Sequence, residues 1–292
     1  MNRIKRILYA AVSSSTFGLA PFFSITLLLA GFSAFEVLSY RWGVASIVLI
    51  VFGWLSGCNF RLAGKDWGVV FLLSLLRAVT SFSLIIAYQN IASGVASTIH
   101  FMYPLAVALA MMFFFREKKS LLVILAVLMS LLGAALLSLG ELEAKSGNTM
   151  VGLVAACVSV FSYAGYIVGV RTTRAVQINS TALTCYVMGL GTIFYLIGAY
   201  CTSGLQLVSD GYTWLIILGL ALPATAISNI TLVQAIKYAG PTLTSILGAM
   251  EPLTAVVIGV FVFKELFTVN SAVGIILILL AVSIVVFRRQ KS

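Results

Sequence analysis

The chain has 292 residues, 61% of them hydrophobic and 9% charged, with a net charge of +10 and a mean hydropathy of +1.13. No soluble globular domain has that composition, so the chain reads as a polytopic membrane protein. Its bases are spread over short loops and not gathered on one soluble face, which argues against a nucleic-acid binder.

Ten apolar runs are each long enough to cross roughly 30 Å of hydrocarbon as a helix. They begin near Ile7, Ser33, Trp67, Ser93, Leu121, Met150, Ser180, Tyr212, Pro241 and Val269. The first follows Arg3, Lys5 and Arg6, as a signal peptide would, but nine further spans make it an uncleaved first helix. Lys and Arg in short loops stay cytoplasmic. The termini and alternate loops hold fourteen bases, among them Arg61, Lys65, Arg116, Lys118, Lys119, Arg171, Arg174, Lys237, Arg288, Arg289 and Lys291. The opposite loops hold Lys145 and Lys264. Both termini are therefore expected on the cytoplasmic side, and the chain is expected in the inner (cytoplasmic) membrane. Cys58, Cys157, Cys185 and Cys201 show no paired or metal-type spacing and read as small apolar residues.

In chain order, the first span carries Ser13-Ser14-Ser15-Thr16, then Phe17-Gly18 and Pro21; small hydroxyl residues allow close helix approach. The second has Glu36 near its outer end and Arg41 further in. The third places Arg77 near its middle, with Ser74, Ser81 and Tyr88 near the same face. Intramembrane charges mark function by default, although pairing of these arginines with Glu36, Glu251 or free carbonyls is an open alternative. The fourth span sets Ser97, His100 and Tyr103 three apart, ahead of Pro104. The fifth, with Gly133, reads as packing, and Glu141 to Asn148 reads as an outer connector.

The sixth span contributes Ser159, Ser162, Tyr163 and Tyr166, too deep for an interfacial belt and suited to a pocket wall. The eighth, with Pro223, Thr225, Ser228, Asn229 and Gln234, is too polar to face lipid. The ninth holds Glu251 about 15 Å from either end, the single acidic residue at the midplane, beside Pro252. Each of these two prolines leaves a carbonyl four residues back unpaired, those of His100 and Gly248, which is tolerated in hydrocarbon where it faces protein, water or a ligand.

Met102-Tyr103-Pro104-Leu105 and Met250-Glu251-Pro252-Leu253 form a repeated phrase, offset by 148 residues. Glu117 and Glu265 each follow the proline by thirteen residues, and Ala87, Ser97, Phe113 and Phe115 recur as Ala235, Ser245, Phe261 and Phe263. The chain is internally duplicated, with halves 1–144 and 145–292. Five spans per half is odd, so the halves enter the membrane from opposite sides, an arrangement that builds midplane sites in many transporters.

These paired Pro-to-Glu phrases, with Arg41 in the second span and Gly-rich fifth and tenth spans, resemble the EamA-type branch of the drug/metabolite transporter superfamily over nearly the whole chain. The resemblance implies an all-α membrane fold of ten helices in two inverted five-helix repeats around a central cavity. It also implies export or exchange of small metabolites, often amino acids, without ATP. Two departures stand out: Tyr103 occupies the place of Glu251 in the first repeat, and Phe17-Gly18 stands where Trp-Gly is frequent.

The expectation is a secondary transporter of amino acids or similar small metabolites. Arg41, Arg77, His100, Tyr103, Tyr163, Tyr166, Asn229 and Glu251 are the candidate binding residues. Glu251 and His100 are candidates for proton coupling, and Pro104 and Pro252 for helix breaks. Two positive charges and one negative suit a zwitterion. Lipophilic-cation efflux and anion exchange are the rivals. One His, eight acidic residues and no Walker-type loop argue against a membrane enzyme or an ATP-driven pump, and no cofactor or metal is expected.

Overall fold

The computed structural model describes residues 3–91, 93–117, 120–138, 147–202, 204–254 and 268–288. Lys118, Lys119, Phe261, Phe263, Lys264, Glu265, Arg289, Lys291 and most of the 141–148 connector lie outside them. Every regular element among the described residues is helical. In the first part of the chain these are α1 (Arg3–Phe17), α2 (Ala20–Leu29), α3 (Ala34–Leu55), α4 (Trp67–Asn90), α5 (Ser93–His100), α6 (Tyr103–Phe113) and α7 (Leu121–Ser138). There follow α8 (Thr149–Thr172), α9 (Ser180–Cys201), α10 (Gly211–Ala221), α11 (Ser228–Ala239), α12 (Pro241–Leu247), α13 (250–254) and α14 (Val269–Arg288). Six helices begin at the residue where the apolar pattern placed a span start: Trp67, Ser93, Leu121, Ser180, Pro241 and Val269.

Among the described residues, seven helical stretches are long and apolar enough to cross a membrane. They are Lys5–Leu29, Ala34–Leu55, Gly64–Asn90, Val95–Phe113, Thr149–Thr172, Ser180–Cys201 and Gly211–Ala239. Shorter apolar stretches, Leu121–Gly133 and Ala272–Ile284, lie in α7 and α14. Polarity is turned inside out relative to a soluble protein. Ile47, Phe52, Trp54, Phe114, Leu121, Phe161 and Leu215 are exposed, whereas Ser74, Arg77, Thr80, Ser159, Thr184, Thr225 and Asn229 are each at most 1% exposed. An apolar exterior of this extent is stable only against lipid.

Packing brings α3 against α9, α7 against α14, α1 against α11, α4 against α8 and α9, and α6 against α8 and α12. Small residues set the spacing. A Cβ on Gly191 of α9 would sit 2.1 Å from the Trp42 ring of α3, and one on Gly133 of α7 would sit 2.8 Å from the Gly274 carbonyl of α14. Trp42 also meets Tyr195 edge to face at 5.1 Å, and the Tyr195 hydroxyl donates to the Ala78 carbonyl at 2.7 Å. Glu36 is spent at the start of α3. It accepts from the Ser33 amide at 2.8 Å and the Gln206 amide at 2.6 Å, closing a capping box, and so does not partner Arg41 or Arg77.

Among the described residues, four membrane-spanning stretches depart from α geometry, and each contains a proline. The first breaks at Gly18–Leu19 ahead of Pro21, the fourth at Phe101–Met102 ahead of Pro104, and the ninth at Gly248–Ala249 ahead of Pro252. Restarting the helix puts Pro104 in the first turn of α6, where its missing donor costs nothing. In the eighth stretch, Leu222–Ile227, which contains Pro223, runs as a π-helix between α10 and α11. The sequence predicted the interruptions at Pro104 and Pro252; that the first stretch also breaks emerges from the structure. These interruptions meet one another. A Cβ on Gly18 would lie 2.6 Å from the Glu251 carbonyl, and one on Gly248 would lie 1.8 Å from the Tyr103 hydroxyl.

On the face of the bundle bearing Arg61, Lys65, Arg171 and Arg174, the chain reverses at Arg116 (φ 54°), and the Glu117 amide donates back to the Met111 carbonyl at 3.0 Å. The Glu117 carboxylate accepts from the Thr242 hydroxyl at 2.6 Å, tying the end of α6 to the start of α12.

Candidate functional site

The π segment determines where the eighth stretch is polar inside the bundle. Pro223 cannot continue the α ladder, and the wider register lets the Thr225 hydroxyl donate to the Leu220 carbonyl, five residues back, at 2.7 Å. Asn229, one turn on, is pinned by its own amide to the Thr225 carbonyl at 2.7 Å. Both side-chain oxygens then serve arginines. Arg41 Nε donates to Thr225 Oγ1 at 2.7 Å, and Arg77 Nε donates to Asn229 Oδ1 at 3.0 Å.

The two guanidinium groups share an aromatic floor. Phe17, at the end of α1, lies 5.5 Å from the Arg41 guanidinium carbon and 5.3 Å from that of Arg77. Arg77 also lies over Tyr163 at 4.9 Å and Tyr166 at 5.8 Å. Cation–π contact of this kind contributes about 0.5–2 kcal/mol per ring and offsets part of the cost of burying the charge. It does not satisfy every donor. Arg41 Nη2 and Arg77 Nη1 have no hydrogen-bond partner, although these residues are only 4% and 1% exposed. Nor does a carboxylate neutralise them: among the described residues, the ion pair within 4.0 Å is Arg174–Asp66, at 3.1 Å. The permanent ion pair with Glu251 left open from sequence is not formed.

Tyr163 links the arginines to a second cluster. Its ring stacks on His100 at 5.4 Å and meets Tyr103 at 4.6 Å. His100 Nδ1 lies 2.8 Å from Ser159 Oγ, whose proton goes to the Ala156 carbonyl at 2.6 Å. Nδ1 is therefore the donor, which leaves Nε2 of the neutral ring as an acceptor; it is buried and without a partner. Tyr103 donates a long bond, 3.5 Å, to Glu251 Oε1. The two residues that hold equivalent places in the repeated phrase thus face each other.

A family model described as the EamA-like transporter family matches this chain twice, over residues 4–139 and 150–287. The chain belongs to that family. An uncharacterized transporter of Archaeoglobus fulgidus is 28% identical over 238 residues, covering 80% of this chain and 83% of its own length. A protein solved by crystallography shares the fold with a TM-score of 0.77 at 17% identity, covering 96% of this chain and 95% of that one. This EamA-family member is thus a multi-pass membrane transporter.

The structure places all eight sequence-nominated binding residues of this EamA-family chain in two adjoining clusters. Arg41, Arg77, Tyr163, Tyr166 and Asn229 form one, and His100, Tyr103 and Glu251 the other, with Pro104 and Pro252 just beyond the breaks. A cavity bordered by Phe17, Ser24, Arg41, Arg77, Ser81 and Tyr88 touches the first cluster and stops short of Glu251. Its water-accessible core is about 20 Å³, room for one water, so a metabolite enters only if helices move. Sequence reasoning missed Phe17 as a site residue and undervalued Thr225 and Ser159. Thr225 and Ser159 could have been weighed as depth-matched partners for buried cations and for His100; Phe17 carries no such signal, because a phenylalanine in an apolar helix looks the same whichever way it faces.

Tyr103 and Gly248 supply a stability test of this junction. Gly248→Ala is expected to lower the thermal midpoint in detergent, since overpacking costs about 1–3 kcal/mol. Adding Tyr103→Phe removes the closest atom the new methyl meets and should restore part of the loss, since the Ser245 carbonyl at 2.7 Å and the ring carbon at 3.0 Å remain. An unchanged midpoint in Gly248→Ala would mean that the hydroxyl does not rest on the Gly248 backbone.

Proposed function

We propose that this protein is a secondary transporter of small zwitterionic metabolites, amino acids foremost, working by alternating access in a ten-span bundle of two inverted five-span halves. The observation that carries the reading is the pair of buried guanidinium groups, each fixed through Nε, each keeping one N–H without a partner, and both bordering one cavity. A planar, two-pronged donor set in a water-poor site suits a carboxylate, and burying such donors unmet costs about 1–3 kcal/mol each. Glu251, on the far side of Tyr163, is the acidic group available for a cargo ammonium or a coupling proton.

The packing pattern supports the duplicated architecture. Under the 148-residue offset, α3 against α9 and α7 against α14 each pair a segment with its counterpart, α6 against α12 brings the fourth span to its counterpart, the ninth, and α4 against α8 exchanges with α11 against α1. The two tracts matched by the family model support it as well. Both termini lie on the cytoplasmic side of the inner membrane in this reading, with the fourteen loop and terminal bases. The Glu117–Thr242 bond then closes the cytoplasmic side.

Anion exchange is the second reading, favoured by the same two unpaired donors. Lipophilic-cation efflux is weakened by geometry, because Arg77 already covers the Tyr163 and Tyr166 faces that would receive a cation. The test is uptake of a mixed labelled amino-acid set into proteoliposomes, with and without an imposed proton gradient. Gradient-dependent accumulation of one or more amino acids is expected. Absence of amino-acid flux, with lipophilic dyes moving instead, would overturn the reading.

A further inference from the structure

A second cavity, unrelated to the midplane clusters, lies where α8, α9 and α11 end or begin on the face bearing Arg61, Lys65, Arg171 and Arg174. It measures about 510 Å³ and is bordered by Arg171, Gln177, Asn179, Thr181, Gln234 and Lys237, with a few neighbours. No carboxylate borders it. Lys237 is only 9% exposed, and its ammonium donates to the Ile178 carbonyl, which leaves two N–H donors. Arg171 reaches across from the end of α8 and donates to the Lys237 carbonyl at 2.7 Å, which brings the second cation to the same wall. Arg174, three residues after Arg171, is already paired with Asp66. Two cations, one of them nine-tenths buried, thus border a polar cavity without a counter-charge, an arrangement that is costly unless an anion completes it.

The start of α9 adds to the same field. Asn179 caps it by accepting from the Thr181 amide at 2.9 Å, and the positive end of this 22-residue helix opens on the cavity. Gln177, Gln234 and Thr181 supply neutral donors around the two charges. Apolar exposed residues of α10 and the π segment, Leu218 and Ile227, continue up the bundle from this rim, and Tyr238, half exposed, stands at its edge. An anion bound here would sit at headgroup depth, with apolar surface beside it for acyl chains.

We infer that the Arg171–Lys237 cavity binds a phosphate group, carried by an anionic phospholipid headgroup or supplied as free phosphate. It lies apart from the proposed cargo site and does not depend on the cargo being an amino acid.

The full chain would be purified and reconstituted in nanodiscs of phosphatidylcholine alone or with phosphatidylglycerol, and thermal unfolding followed in each. The same protein in detergent would be titrated with inorganic phosphate against chloride at matched ionic strength. Phosphatidylglycerol is expected to raise the midpoint by about 3 °C or more over phosphatidylcholine, and to be retained in native mass spectra. The Arg171→Gln/Lys237→Gln double variant should lose that shift, and Lys237→Arg should keep it. If the double variant does not fold, Arg171→Gln, a change at an exposed side chain, carries the comparison and should halve the shift. A shift with inorganic phosphate but not with lipid assigns the site to a soluble phosphate. A wild-type midpoint indifferent to both, or variants that respond as fully as the wild type, would overturn the inference.

Discussion

Arg77→Gln is expected to cut transport by roughly 10–100-fold while leaving the thermal midpoint unchanged or higher. The first half follows from the loss of a charge-assisted hydrogen bond to the cargo, about 1.5–3 kcal/mol, where each 1.4 kcal/mol is tenfold in affinity. The second follows from the cost of what Arg77 is asked to do. Its charge is buried, has no acidic partner within 4.0 Å among the described residues, and keeps one N–H unmet. Replacing a buried charge of this kind by a neutral group is often neutral or stabilising, because the desolvation cost disappears with it. Arg77→Lys should be nearly as inactive. An ammonium cannot hold Asn229 through one nitrogen while lying flat over Phe17, Tyr163 and Tyr166 and presenting a second donor. Uptake into proteoliposomes and unfolding in detergent, read on the same preparations, test both halves. Full transport in Arg77→Gln would remove this residue from the site, and a collapse of the midpoint in both variants would make it a brace.

Much of this arrangement was legible because charge is so rare in the chain. An arginine at helical spacing from Ser81 and Tyr88 had to face inward, and these three residues border the same cavity. Prolines 104 and 252 located two breaks because a missing donor is a property of the residue itself. Other features depend on register that only packing decides. Pro223 announces an irregularity in the eighth stretch, but not that the ladder will widen to a π turn and present Thr225 and Asn229 to two different arginines. Glu36 looked like an available partner for Arg41, yet its three-residue offset from Ser33 was also that of a capping box, and the cap won. The repeat offset aligned Tyr103 with Glu251 but could not say that the two would touch.

That contact frames the other large effect, in Glu251→Gln. Glutamine keeps the volume and a hydrogen-bonding oxygen for Tyr103, but it carries neither a negative charge nor an exchangeable acid proton. The carboxylate it replaces has a single long side-chain bond at 3.5 Å and lies beside the interrupted backbone of the first and ninth stretches, where Gly18 approaches its own carbonyl. A carboxyl group held so loosely is free to meet an arriving ammonium or to exchange a proton. For a zwitterionic cargo, gradient-driven accumulation is therefore expected to fall by about tenfold or more, the loss of one charge-assisted bond. The residual flux should no longer respond to the proton gradient. The pairing with Arg77→Gln separates the readings. A zwitterion needs both groups and fails in both variants. An anion needs only the guanidinium side, so Glu251→Gln would transport it normally while Arg77→Gln would not. A lipophilic cation would show the reverse, with dye efflux lost in Glu251→Gln and kept in Arg77→Gln, because removing Arg77 uncovers the Tyr163 and Tyr166 faces for the cargo itself.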